Sequence, residues 1–152
     1  MVGTPPSLTA RALRLLGQRE HSRAELERKL ARYEETPGTL AQVLDGLAAK
    51  DFINEGRVID SVVHRRSAKL GAARIRQELQ AKGLEPEAVA QAVNGLKASE
   101  TARAFAVWHK KFEGPATTPA ERAKQVRFLV SRGFGREAIA RVVSGAFDAD
   151  AG

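Results

Sequence analysis

Apolar residues recur along this chain at intervals of three and four, the period of an α-helix with one buried face. Leu8, Ala12, Leu15 and Leu16 set out a first helix, Leu26, Leu30 and Tyr33 a second, and Leu40, Val43, Leu44 and Leu47 a third. Val58, Ile59, Val62 and Val63 mark a fourth, Ile75 and Leu79 a fifth, and Val89, Val93 and Leu96 a sixth. Ala98, Phe105 and Phe112 mark a seventh with Trp108 at its edge, Val126, Leu129 and Val130 an eighth, and Ile139, Val142 and Val143 a ninth. No run alternates with the two-residue period of a half-buried strand. The pattern predicts an all-α protein.

The ends of these helices are also written in the sequence. Ser22 followed by Glu25 forms a capping box, in which each side chain serves the other residue's backbone amide. Thr118 and Glu121 repeat the device, with Pro119 at the first helical position, where its missing N–H costs nothing. Pro86 starts another helix in the same way. Gly83 and Gly133 follow Lys82 and Arg132, and each precedes a bulky apolar residue, Leu84 or Phe134. That is the signature of a left-handed glycine ending a helix, with the next side chain folded back onto it.

The two glycine phrases are echoes. AKGLEPEAVAQAV and SRGFGREAIARVV begin at Ala81 and Ser131. The register extends backwards: Leu30, Leu79 and Leu129 fall at steps of 49 and 50, as do Leu44, Val93 and Val143. In the first copy, RYEETPGTL replaces the glycine turn with a longer loop. Three tandem three-helix units, of helix-turn-helix type, follow from this period. Their expected spans are residues 8–53, 54–98 and 99–147, with fraying ends at 1–7 and 148–152. In an array of such units, each is expected to pack mainly on its neighbours.

Composition narrows the function. The chain carries a net charge of +7, which favours polyanionic partners. It has no cysteine, so thiol catalysis and zinc–thiolate sites are excluded. No apolar run reaches the roughly 20 residues of a membrane span, and MVGTPPSL lacks the features of a signal peptide. The expected setting is the cytoplasm. His21, His64 and His109 have no partners at metal-ligand spacing, and His64 and His109 fall on polar helix shoulders. No phosphate-binding loop or nucleophile motif is present. Asp45 and Asp51 lie near each other, with nothing to complete a catalytic set. The expectation is a non-enzyme without a cofactor or metal.

What remains is basic surface. Arg65, Arg66, Lys69, Arg74, Arg76 and Lys82 stand against the single acid Glu78. Arg122, Lys124, Arg127, Arg132, Arg136 and Arg141 stand against Glu137. Cations two to five residues apart share a helix flank, so the middle helix of each later unit is expected to present a cationic edge. Repeated edges would follow a long polyanion or an acidic groove. No helix mixes arginine with asparagine or glutamine at base-reading positions, which argues against a sequence-specific DNA reader.

Four segments in this order resemble the RecX family, regulatory proteins that act on the RecA recombinase: RALRLLGQREHSRAELERKL from Arg11, FINEGRVI from Phe52, KLGAARIRQELQAKGL from Lys69 and KQVRFLVSRGF from Lys124. The likeness covers about Leu8 to Ala146. Where the family shows Asn-Asp-Glu, this chain has Asn54-Glu55-Gly56, which keeps a helix-start carboxylate in Glu55 but loosens the first turn. The expected state is a monomer. The resemblance implies tandem three-helix repeats in an elongated, curved array that binds along the groove of the RecA–DNA filament and restrains recombinase, ATPase and coprotease activity. It would thereby modulate recombinational repair and the SOS response. A second expectation is a stand-alone basic helical protein of transcription-factor type, binding single- or double-stranded DNA directly.

Overall fold

The computed structural model describes residues 3–147. Among these residues there are nine α-helices and no strand. The first three are α1 (Leu8–Gln18), α2 (Arg23–Leu30) and α3 (Thr39–Ala49). Next come α4 (Glu55–Arg66), α5 (Ala72–Ala81) and α6 (Pro86–Gly95). The last are α7 (Glu100–Lys111), α8 (Pro119–Ser131) and α9 (Arg136–Val143), and 3-10 turns follow α2 and α6. Ser7, in a segment expected to fray, accepts a hydrogen bond from the Ala10 amide and caps α1. The expected fraying of 148–152 falls outside the described residues.

Each set of three helices closes around its own core. Ala12, Leu26, Leu30 and Leu44 are central to the first, Val58, Val62, Ile75 and Leu79 to the second, and Ala104, Trp108, Leu129 and Val142 to the third. The repeat-register residues Leu30, Leu79, Leu129, Leu44, Val93 and Val143 are all buried. The three-unit reading therefore corresponds to three separate hydrophobic clusters.

In the third unit the sequence phase was off. Trp108 is buried rather than at the edge, and its indole N–H donates to Gln125 Oε1 at 3.0 Å. Gln125, a polar residue, is buried, while Val130, assigned to the core, is 58% exposed. Ala98 is exposed in the 3-10 turn before α7. The Ser22–Glu25 capping box is complete. The Thr118 box is displaced: Thr118 accepts from the Glu121 amide at 3.1 Å, but the Glu121 carboxylate takes the Thr117 amide and hydroxyl.

Two contacts recur where units meet. The first joins middle helices end to end. The N-terminus of α2 faces the C-terminus of α5, and the N-terminus of α5 faces the C-terminus of α8, so opposite ends of the helix dipoles meet. At the first junction the Ser22 hydroxyl donates to the Lys82 carbonyl and Arg28 to the Ala81 carbonyl. At the second, the Gly71 amide donates to the Arg132 carbonyl at 2.8 Å and the Ala73 amide to the Gly133 carbonyl at 3.2 Å. The glycine endings make room for this. Gly83 and Gly133 have φ of 70° and 88°, where a Cβ is strained. Leu84 and Phe134 are buried behind them.

The second contact uses an arginine on the first helix of the following unit. Arg57 on α4 reaches back to Glu20 at 2.9 Å and Asp51 at 2.8 Å. Arg103 on α7 reaches back to the carbonyls of Ser67 at 3.0 Å, Leu70 at 2.8 Å and Leu96 at 3.2 Å. Each precedes a buried core residue, Val58 or Ala104. Arg11 precedes Ala12 in the same way, so the three arginines stand 46 residues apart. The Arg11 guanidinium instead lies 3.7 Å from the ring centroid of Tyr33 in its own unit. Among the described residues, no hydrogen bond or ion pair links the first unit to the third.

Candidate functional site: a cationic groove between units

The predicted basic residues divide among three settings. Lys82 is not part of an open edge. Its side chain is only 12% exposed and pairs with the buried Glu25 at 3.3 Å. Arg74 is exposed, yet its guanidinium donates to the Ser131 carbonyl at 2.7 Å, and its stem packs where a Cβ on Gly133 would fall. Both residues hold junctions together, which an open cationic edge does not require. Glu25 shows the electrostatics of that role. Burial pushes its carboxyl up, but hydrogen bonds from Arg19 and the Ser22 amide, with the Lys82 charge, bring it down to about 2.

A second group is scattered over the second and third units. Arg122 and Arg136 flank an apolar furrow formed by Val126, Val130, Phe134 and Ile139. Lys124, two residues from Arg122, faces another side, beside Gly114 and Gln125. Arg76 and Arg127 are exposed on α5 and α8. Arg65 lies 4.0 Å from Glu78, and Arg141 stands 5.9 Å from the Phe147 ring.

The third group converges. Arg66, Lys69 and Arg132 line a groove of about 430 Å³ between the second and third units. Two cations that sequence reasoning passed over, Lys110 and Lys111 at the end of α7, complete its rim. The floor is apolar: Ala68, Leu70, Val107 and Phe128. No acidic residue lines it. Phe112 meets Phe128 edge-on at 5.5 Å, fixing that ring. Lys111 and Arg132 stand 5.1 and 4.9 Å from its centroid. The signal in the sequence was the Lys-Lys-Phe run at 110–112, which reads as an ordinary helix end.

The surroundings make the groove firm. Arg103 lies beneath the loop carrying Ala68 and Lys69, bonded to the carbonyls on either side of it. Burial pulls the Arg103 guanidinium below its ordinary value, opposed by the Glu100 carboxylate. Glu100 also accepts the Ala72 amide at 3.1 Å. Such a groove can hold an anion and an apolar group side by side. Its lining has no histidine, serine, threonine, tyrosine or carboxylate side chain, and among the described residues no cluster of acids and histidines is arranged to hold a metal. No helix of the described residues is long and apolar enough to cross a membrane.

Nine helices in three units, each with a separate core and joined by repeated contacts, define a tandem three-helix-repeat protein. Comparison with known proteins places it more closely. Models of the first, second and third three-helix domains of RecX match residues 10–47, 54–93 and 98–143. The regulatory protein RecX of Ralstonia nicotianae is 48% identical over 142 residues, covering 93% of this chain and 89% of the relative. That of Leptothrix cholodnii is 45% identical over 137 residues, covering 90% and 87%. The crystal structure of RecX from Lactobacillus salivarius superposes with a TM-score of 0.73 at 18% identity, covering 95% of both chains. The chain belongs to the RecX family of regulatory proteins.

Proposed function

We propose that this chain is a non-enzymatic regulator that binds the RecA–single-stranded DNA filament along its groove. By doing so it restrains recombinase, ATPase and coprotease activity, and so modulates recombinational repair and the SOS response. The observation that carries this reading is the cation-rimmed groove at the second junction, in a chain whose relatives are named regulatory protein RecX. A rigid groove spanning two units matches a partner that is itself a repeating polyanion-bearing assembly. The exposed Arg76, Lys124 and Arg127 are candidates for further contacts along the same assembly.

The test is co-sedimentation with preassembled RecA–single-stranded DNA filaments, alongside DNA-dependent ATP hydrolysis and strand exchange. The chain should pellet with the filament more than with bare DNA and slow both reactions. Unchanged ATPase and strand exchange at saturating protein would remove this reading.

A further inference from the structure

We propose that the furrow between α8 and α9 is a docking site for an acidic amphipathic helix of a partner protein. The helix sets its apolar side chains on Val126 and Val130 and its carboxylates on Arg122 and Arg136. The site is separate from the cationic groove. Helix α8 turns Phe128 and Arg132 toward the groove and Val126 and Val130 toward the furrow. The contact needs no nucleic acid and does not rest on the filament reading.

The three units show which parts of this surface the fold requires. In the register of the core residues, Ile139 corresponds to Val89 and Leu40, and all three are buried. The floor of the furrow is therefore structural, but its wall is not. Val126 corresponds to Arg76 and Glu27, and Val130 to Gln80 and Ala31. Arg76, Gln80 and Glu27 are exposed polar side chains, whereas Val130 is exposed and apolar. One position inward the exchange runs the other way: Gln125 is buried where the other units bury Ile75 and Leu26. Gln125 is accounted for by the Trp108 indole. Val130 belongs to none of the three cores, so its apolar side chain serves no packing within the unit.

The first unit also shows which charge is missing. Arg23, the counterpart of Arg122, spans its own furrow and meets Asp45 at 2.8 Å, Glu27 at 3.1 Å and the Ala41 carbonyl at 3.3 Å. In the third unit Val126 and Ser144 take the positions of those two acids. Arg122 and Arg136 are exposed and have no carboxylate partner among the described residues. No acid lines the furrow. The complementary ligand carries carboxylates beside an apolar face. A second copy set furrow to furrow would oppose arginine to arginine, which disfavours self-pairing. From Arg122 to Val130 is about 12 Å of α8, or two turns. Apolar anchors three and four residues apart on a short helix cover that length.

The experiment uses the full chain and a fluorescent helical peptide of about four turns, with leucines on one face and glutamates on the other. A scrambled peptide of the same composition carries the same charge. By fluorescence anisotropy the amphipathic peptide should bind about tenfold tighter than the scramble or better. Val130→Glu, at an exposed position, should lose about tenfold with an unchanged melting temperature. Arg14→Glu, a larger charge change on exposed surface of the first unit, should cost less than Val130→Glu. The Val126→Glu, Ser144→Asp double variant restores the first unit's acids around Arg122 and should also lose about tenfold. Equal binding of the two peptides, or normal binding by Val130→Glu, would overturn the proposal. So would full displacement of the peptide by oligo(dT), which would give the furrow to nucleic acid. Binding to phosphatidylglycerol vesicles, or self-association in sedimentation, that Val130→Glu abolishes would give it to lipid or to a second copy. Peptide binding only after removal of residues 148–152, which include Asp148 and Asp150, would give it to the chain's own tail. Since RecA is absent, these outcomes are independent of the filament reading.

Discussion

The two junctions share a plan and differ in material. At the first, units are held by side chains: Ser22 and Arg28 on carbonyls, Lys82 on Glu25, and Arg57 on Glu20 and Asp51. At the second, two backbone amides reach backbone carbonyls directly, and Arg103 serves three carbonyls from a side chain only 14% exposed. Arg57 by contrast is 40% exposed. The Arg57 pairs are ionic contacts in water, weak and salt-dependent, whereas a desolvated donor such as Arg103 with all its partners made is costly to disturb. Apart from the buried Lys82–Glu25 pair, the first junction is therefore the more compliant one and the second the stiffer. The groove proposed to bind lies on the stiff one, where its floor and rim stay in register.

The contrast can be broken most severely at Arg103. Arg103→Ala strands the Ser67 and Leu70 carbonyls, leaves the Leu96 carbonyl only its Ser99 hydroxyl, and leaves Glu100 without its cation. It should cost about 3 kcal/mol in urea unfolding. A loss no larger than that of a surface arginine would show that the second junction is not held there.

Gly71→Ala is next. A Cβ at that position would fall on the Gly133 carbonyl, so the α5–α8 joint must open. The expected loss is about 2 kcal/mol. Gly83→Ala, which meets the Ala24 methyl at a φ of 70°, would disturb the first junction instead. Gly71→Ala should reduce amide protection at Ala73 while leaving the first junction intact.

Acid should act on the compliant junction. Glu25 is held at about 2, below its ordinary 4.5. Its stabilising contribution is present above pH 4.5 and is lost as pH falls toward 2. His21 acts in the same direction. Burial lowers its pKa, its Nδ1–H donates to the Arg19 carbonyl, and Lys29 faces its Nε2. Its contribution is present above the ordinary 6.5 and falls away as acid protonates it. Together with screening, the Glu25 effect should be about 1–2 kcal/mol. Hydrogen exchange at pH 3 should open the Ser22–Lys82 joint before the Gly71–Arg132 joint. Simultaneous opening would contradict the assigned difference.

The smallest effect is expected for Arg57→Ala. It should lower the urea midpoint slightly at low ionic strength and not at all near 1 M salt, where exposed ion pairs are screened. A salt-independent loss would mean that Arg57 works as Arg103 does.

Much of this was legible in the sequence because local rules agreed with one another. Helical spacing, caps and the glycine endings at Gly83 and Gly133 all pointed to three units in one register. Trp108 was expected at a helix edge because an indole N–H reads as surface until its partner is known: Gln125, itself buried and donating to the Gly114 carbonyl. Lys82 and Arg74 were counted with the open cations because charge patterning does not show a carboxylate or carbonyl contributed by another unit. Arg11, Arg57 and Arg103 step by 46 residues while the middle helices step by 49 and 50, so the junction arginines fall out of the register that the core residues define. The groove was hidden for a similar reason. Its residues come from α4, the loop after it, α7 and α8, and no linear window contains them.

Arg11 has a practical consequence. The arginine that bolts later units to their predecessors is here turned onto its own Tyr33, and at the other end Thr117 and Glu121 seal the start of α8. The middle unit cannot simply be copied: in a gene that duplicates residues 54–98, Arg57 of the second copy would face Lys69 of the first, the counterpart of Glu20 at a step of 49. With Lys69→Glu in the preceding copy, each added unit would bring its own Arg57, Ser67–Gly71 loop and Gly83, making the number of units an adjustable length setting. Such a ladder of proteins would act as a ruler, reporting how many partner subunits one chain can span.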